Sequence, residues 1–170
     1  MKRPLAGILL ASLALITPAA RGGVEEAASK ADESVQEALE SAKVPCKIDA
    51  NGDFHLSLKF KDGRSQKIVI VSGRIVLGDE EDGDEMREIF AVAYSAGVTP
   101  SGELATKLLE ANASEKIGGW AIRRNGEKFE VVYRAFVPAD ICEDELLPAV
   151  TLVAQKADAL EKSQTGNDEN

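Results

Sequence analysis

Few residues in this chain belong to the types that carry covalent or metal chemistry. There are two cysteines, Cys46 and Cys142, and a single histidine, His55. Nucleophilic catalysis needs a hydroxyl or thiol beside a base that a third group orients. His55 is the sole imidazole that could serve, and no GxSxG, Walker A or GxGxxG run occurs. The cysteines lie too far apart for a CxxC redox motif, and an even pair in an oxidising compartment reads as a disulfide. A Cys46–Cys142 bridge would close most of the chain into one loop, worth about 4 kcal/mol in the chain-entropy model. Two free thiols or a bridge between chains are the other readings. Asp79-Glu80-Glu81-Asp82-Gly83-Asp84-Glu85 offers the carboxylate oxygens a hard cation takes. It lacks EF-hand spacing, and a solvated loop would look the same. Asp49-Ala50-Asn51-Gly52-Asp53 has oxygens at alternate positions, as any turn before a strand can. Gly118-Gly119-Trp120 is a candidate partner-binding segment. Glycines let another backbone approach a strand, and tryptophan anchors interfaces, although a core Trp beside a bulge has the same signature. This inventory points to a binding module without enzymatic activity, metal or cofactor. The alternatives are a small hydrolase using paired carboxylates or a cation-responsive protein using residues 79–85.

Compartment is written at the start. Met1-Lys2-Arg3 is followed by an apolar run from Leu5 to Ile16 and by Thr17-Pro18-Ala19-Ala20, the three-part layout of a secretory signal peptide over residues 1–20. The run is shorter than the ~20 residues that span a bilayer, so no stable membrane anchor is expected after cleavage. The protein is expected to be exported, to the periplasm or outside the cell. The chain has 170 residues and a net charge of −9. Loss of Lys2 and Arg3 makes it more acidic. That balance argues against nucleic acid or an anionic membrane as the main partner and would attract a basic peptide or a cation.

The elements follow from periodicity. Residues 21–43 read as a linker and a helix, with Val24, Ala28, Ala31, Val35, Ala38, Leu39 and Ala42 forming one stripe that Pro45 ends. Five strands follow: Phe54–Phe60, Gln66–Leu77 with a bend at Gly73, Arg87–Ala96, Ile117–Arg124, and Phe129 to Pro138. Asp62-Gly63 and Asn125-Gly126 are hairpin turns. Thr99 and Pro100 are the cap and first residue of a short helix burying Leu104, Leu108 and Leu109. A last helix spans about Asp144 to Lys162, and residues 163–170 form a polar tail. Helix, three strands, helix, two strands, helix is an α+β order, an antiparallel five-stranded sheet with flanking helices.

Three stretches resemble the YbjN family, labelled as bacterial sensory transduction regulators, with a type III secretion chaperone-like fold. They are Leu104 to Asn112, with its leucines and closing Asn; Gly119-Trp120-Ala121-Ile122 with Val131-Val132-Tyr133; and Leu146 to Glu161. The resemblance covers residues 44–162. It implies an antiparallel sheet with flanking helices and no enzymatic activity. It also implies a protein or peptide partner held in an extended form, with a homodimer among the assemblies. Those chaperones are cytoplasmic, whereas this chain opens with an export signal.

Overall fold

A computed structural model describes residues 30–78 and 83–165. Residues 1–29, which carry the expected signal peptide and linker, residues 79–82 of the acidic loop, and residues 166–170 lie outside them. Helix α1 (Glu33–Ser41) leads into strands β1 (Cys46–Ile48), β2 (Phe54–Lys59), β3 (Ser65–Leu77) and β4 (Asp84–Ala96). Helix α2 (Gly102–Asn112), strands β5 (Gly119–Asn125) and β6 (Lys128–Pro138), and helix α3 (Glu143–Thr165) complete it.

The sheet is fully antiparallel with the order β1-β2-β3-β4-β6-β5. The α+β class is therefore met, but with six strands rather than five. The additional strand, β1, has only three residues, too few to show alternation beside a proline. The turn after it forms as expected: Asp49 N–H donates to the Asp53 carbonyl, and Gly52 adopts φ +92°. A side chain on Gly52 would meet the Lys30 backbone at 2.6 Å, so glycine is needed where this hairpin runs beneath the start of α1. The bend at Gly73 coincides with a register shift between Ile70 and Arg74. Asn125 pairs with Lys128 across the Gly126 turn.

Alternation sorts each strand into two faces. Phe54, Leu56, Ile68, Ile70, Ile89, Ala91, Tyr133 and Ala135 point to one side and are buried. Helix α3 crosses that side over β3, β4 and β6, and α1 packs beside α3. Val35, Ala38 and Leu39 of α1 join the same core as Leu146, Val150, Val153 and Ala157 of α3. Helix α2 begins two residues later than the Thr99-Pro100 signal suggests. Its cap is Ser101, whose Oγ accepts the Leu104 N–H at 3.1 Å. Leu104 and Leu108 are buried, but Leu109, expected in that stripe, is 70% exposed. Helix α3 runs three residues past Lys162, so part of the expected tail is helical.

Among the described residues, no helix lies over the other side of the sheet. It carries His55, Ser57 and Lys59 from β2, Lys67, Val69 and Val71 from β3, and Phe90 and Val92 from β4. Val132, Arg134 and Phe136 from β6 and Ala121 and Arg123 from β5 complete it. Among the described residues no helix is long and apolar enough to cross a membrane.

Candidate functional site

Strand β5 is an edge strand, and its first half is built around the three residues singled out by sequence. Gly118 has φ +78°, and a Cβ there would lie 2.4 Å from the Arg134 carbonyl oxygen. Only glycine permits that approach. Gly118, Gly119 and Trp120 border a shallow concavity of about 570 Å³ together with Lys116, Arg134 and Phe136. The indole of Trp120, however, turns to the helix side and meets Tyr133 edge-on, with ring centroids 5.0 Å apart. It contributes backbone to the groove and ring to the core.

Asn112, at the end of α2, enters the sequence reading only as the closing Asn of the stretch that resembles the YbjN helix. Its carboxamide acts as a strand partner. Trp120 N–H donates to Asn112 Oδ1 at 2.6 Å, and Asn112 Nδ2 donates to the Trp120 carbonyl at 3.0 Å. These are the two bonds a neighbouring strand would make. They show that Trp120 directs its amide groups away from β6, so Ile122 and Arg124, two and four residues on, do likewise. Asn112 thus blocks the edge at Trp120 and leaves it open from Ile122 onward. Beneath the groove, the Tyr133 hydroxyl lies 2.6 Å from the Ile117 carbonyl and 2.9 Å from Glu115 Oε2, and Lys156 Nζ donates to Glu115 at 2.6 Å. The Lys156 bond holds the Glu115 carboxyl below its usual range despite some burial. Burial and the adjacent Glu115 carboxylate push the Tyr133 phenol upward.

Arginines lie across the open face. Arg123 sits 4.0 Å from the Phe90 ring centre and pairs with Glu130 at 2.8 Å. Arg134 lies 4.5 Å from the Phe136 ring centre and pairs with Glu88 at 3.1 Å. Such stacks cover apolar ring surface while keeping the cation accessible.

The disulfide expected between Cys46 and Cys142 does not form; both are free thiols, Cys46 half-buried and Cys142 exposed. Register explains this. Cys46 lies level with Ile68 of β3 through Leu56, whereas Pro138, just ahead of Cys142, lies level with Ile75 through Met86. Those levels are seven residues apart along β3 and on strands that are not neighbours, far beyond the ~7 Å Cα limit for a bridge. Burial, with Glu40 adding to it, pushes the Cys46 thiol up, which makes it less reactive. His55 is exposed and pairs with Asp49 at 3.0 Å, an interaction that lowers the Asp49 carboxyl. The buried acids Asp32, Glu130 and Glu161 each face an arginine. Among the described residues, no three His, Cys, Asp or Glu side chains cluster to hold a metal ion. Of the acidic loop, only residues 83–85 are described, and Glu85 is engaged by Arg74 at 2.5 Å.

No family model matches this chain, and no curated protein matches it. Among solved structures it is similar to the crystal structure of YbjN from E. coli, a proposed transcription regulator. Identity is 13%, with 79% of this chain and 90% of that one covered, at a TM-score of 0.48. That structure belongs to the family whose residues the sequence resembles.

Proposed function

We propose that this chain is an exported binding module, with no catalytic step of its own, that holds an extended protein segment along the free half of β5 and the uncovered sheet face beside it. The observation that carries this reading is the edge: Ile122 and Arg124 direct unpaired backbone groups outward next to a concavity lined by Gly119, Ala121, Arg134 and Phe136. An extended segment adding to such an edge gains main-chain hydrogen bonds, with side-chain recognition on the adjoining face. Export rests on residues 1–20, and cleavage would give a mature chain beginning at Arg21.

The test is substitution of Ile122 by proline. The ring removes an N–H that points away from β6, so the internal ladder keeps its bonds while the edge loses a donor. The mature wild-type chain should capture a partner from the native envelope fraction that I122P does not. Equal capture by a folded I122P chain would refute edge binding. Mass spectrometry of the protein recovered from its host tests export, since an uncleaved chain beginning at Met1 would contradict it.

A further inference from the structure

The uncovered face is basic, although the molecule as a whole is strongly acidic. By register it presents Lys47, Lys59, Lys67, Arg123, Lys128 and Arg134 against Asp84, Glu88 and Glu130, with Asp49 beside His55 at its edge. The two glutamates are occupied by Arg134 and Arg123. The four lysines form no ion pair among the described residues. The surplus of acid lies on the helix side, at Glu33, Glu37, Glu40, Glu103, Glu110, Glu143, Asp144 and Glu145.

The basic groups are also ordered. Residue pairing draws one row straight across the sheet: Lys47, His55, Val69, Phe90, Arg134 and Gly119. At one end of this row is the concavity beside Gly119 and Arg134. At the other is a second hollow, of about 350 Å³, lined by Pro45, Lys47, His55, Ser57 and Lys67. Five strand spacings separate the ends, about 24 Å, which about seven residues of extended chain would cover. The middle of the row, Val69 and Phe90, is apolar.

From this arrangement we infer that the open face takes an acidic protein segment laid across the strands, carboxylates at both ends and apolar side chains over Val69 and Phe90. This rests on the proposed function and extends it: a partner paired along β5 continues across the strands, which gives it a charge and a path. It reverses the preference for basic ligands that the net charge alone suggests. Charge complementarity of this kind sets specificity and association rate.

The test uses the mature full-length chain, isotopically labelled for NMR. The probes are a short peptide alternating glutamate with leucine, its lysine–leucine counterpart, and phosphatidylglycerol vesicles. The acidic peptide should shift resonances at both ends of the row, at Lys47 and Lys67 as well as at Gly119 and Arg134, and should bind more weakly as salt rises. The double variant K47E/K67E alters two exposed, unpaired lysines and should keep the wild-type spectrum while losing about tenfold in affinity. Shifts confined to β5 and indifferent to K47E/K67E would overturn this inference and leave edge binding standing. Equal binding of the lysine–leucine peptide would overturn the charge assignment. Vesicle binding without peptide binding would replace the protein segment by an anionic lipid surface. No response to any probe would overturn this inference, and I122P without effect on partner capture would remove edge binding as well.

Discussion

Arg87 is the most consequential single residue. It is fully buried in β4, donates to the carbonyls of Val71, Ser72 and Ala139, and has one carboxylate close by, Asp32 at 2.7 Å. Asp32 also caps α1, its Oδ1 accepting the N–H groups of Ser34 and Val35. Burial would raise its pKa, but hydrogen bonds from Ser34, Arg74 and Arg87 outweigh this and hold the carboxyl well below the usual range. A depressed folded value means that the stabilisation is complete above the unfolded carboxylate value of about 3.9 and is lost as pH falls below it. Asp49 and Glu115, shifted the same way, add to the loss. Asp32→Ala should cost about 3–5 kcal/mol in urea unfolding, because it strands a buried cation. Asp32→Asn keeps the cap, should cost less, and should flatten the acid limb of stability against pH. Equal effects of the two substitutions would show that the cap hydrogen bonds add nothing and that the shared loss of charge accounts for the whole cost. The helix stripe read from Val24 to Ala42 gave no sign that Asp32 caps α1, nor of its ion partner on a distant strand. Gly118 was read as a place for a partner's backbone, whereas the backbone that approaches it is the chain's own, at Arg134 of β6. Its requirement is backbone against backbone, so Gly118→Ala should cost at least about 1–3 kcal/mol from the left-handed conformation alone. Gly119→Ala, whose added carbon meets only the Asn112 side chain at 3.2 Å, should be milder in the same titration.

At the scale of elements, strands with unbroken alternation and the Asn-Gly turn could be read from the sequence, because period and turn chemistry are local. Three features could not. Strand β1 is held by its pairing with β2, not by its own pattern. Helix α2 starts where Ser101 can reach the Leu104 N–H, and the nearby Thr-Pro pair is an equally good signal on paper. The third is Asn112, whose role depends on α2 ending level with Trp120. The Asn112 clamp predicts a local effect. Asn112→Ala should bare the Trp120 amide and speed its hydrogen exchange, while amides in the centre of β6 keep their protection. Unchanged exchange at Trp120 would show that another group shields the edge there. Helix α1 carries a second prediction. Leu39 is fully buried against the α3 side of the core, and Leu39→Ala should lower stability by about 2–5 kcal/mol. The stripe is mostly alanine, and its few large residues, Val35 and Leu39, do the joining.

For the whole molecule, strand order decides what composition cannot. A net charge of −9 averages over an acidic helix layer and a basic sheet face. The two separate only when β4 is known to pair with β6 rather than with β5, the next strand in sequence. The same ordering governs the cysteines. An even pair in a chain expected to be exported invites a bridge, yet the register holds Cys46 on the β1 edge and Cys142 ahead of α3, at opposite ends of the strands. Stability must then come from the single core and the buried ion pairs, with no cross-link to restrict the unfolded chain. The melting temperature of the mature protein should therefore be the same with and without a thiol reductant. A thiol reagent added to the native protein should modify exposed Cys142 readily and Cys46 slowly, since the latter is half-buried and its thiol is raised in pKa. A melting temperature that falls on reduction, together with two unreactive cysteines, would mean that the chain can join these sites. That would require β1 to leave the sheet edge and would discard the strand order on which the basic face depends.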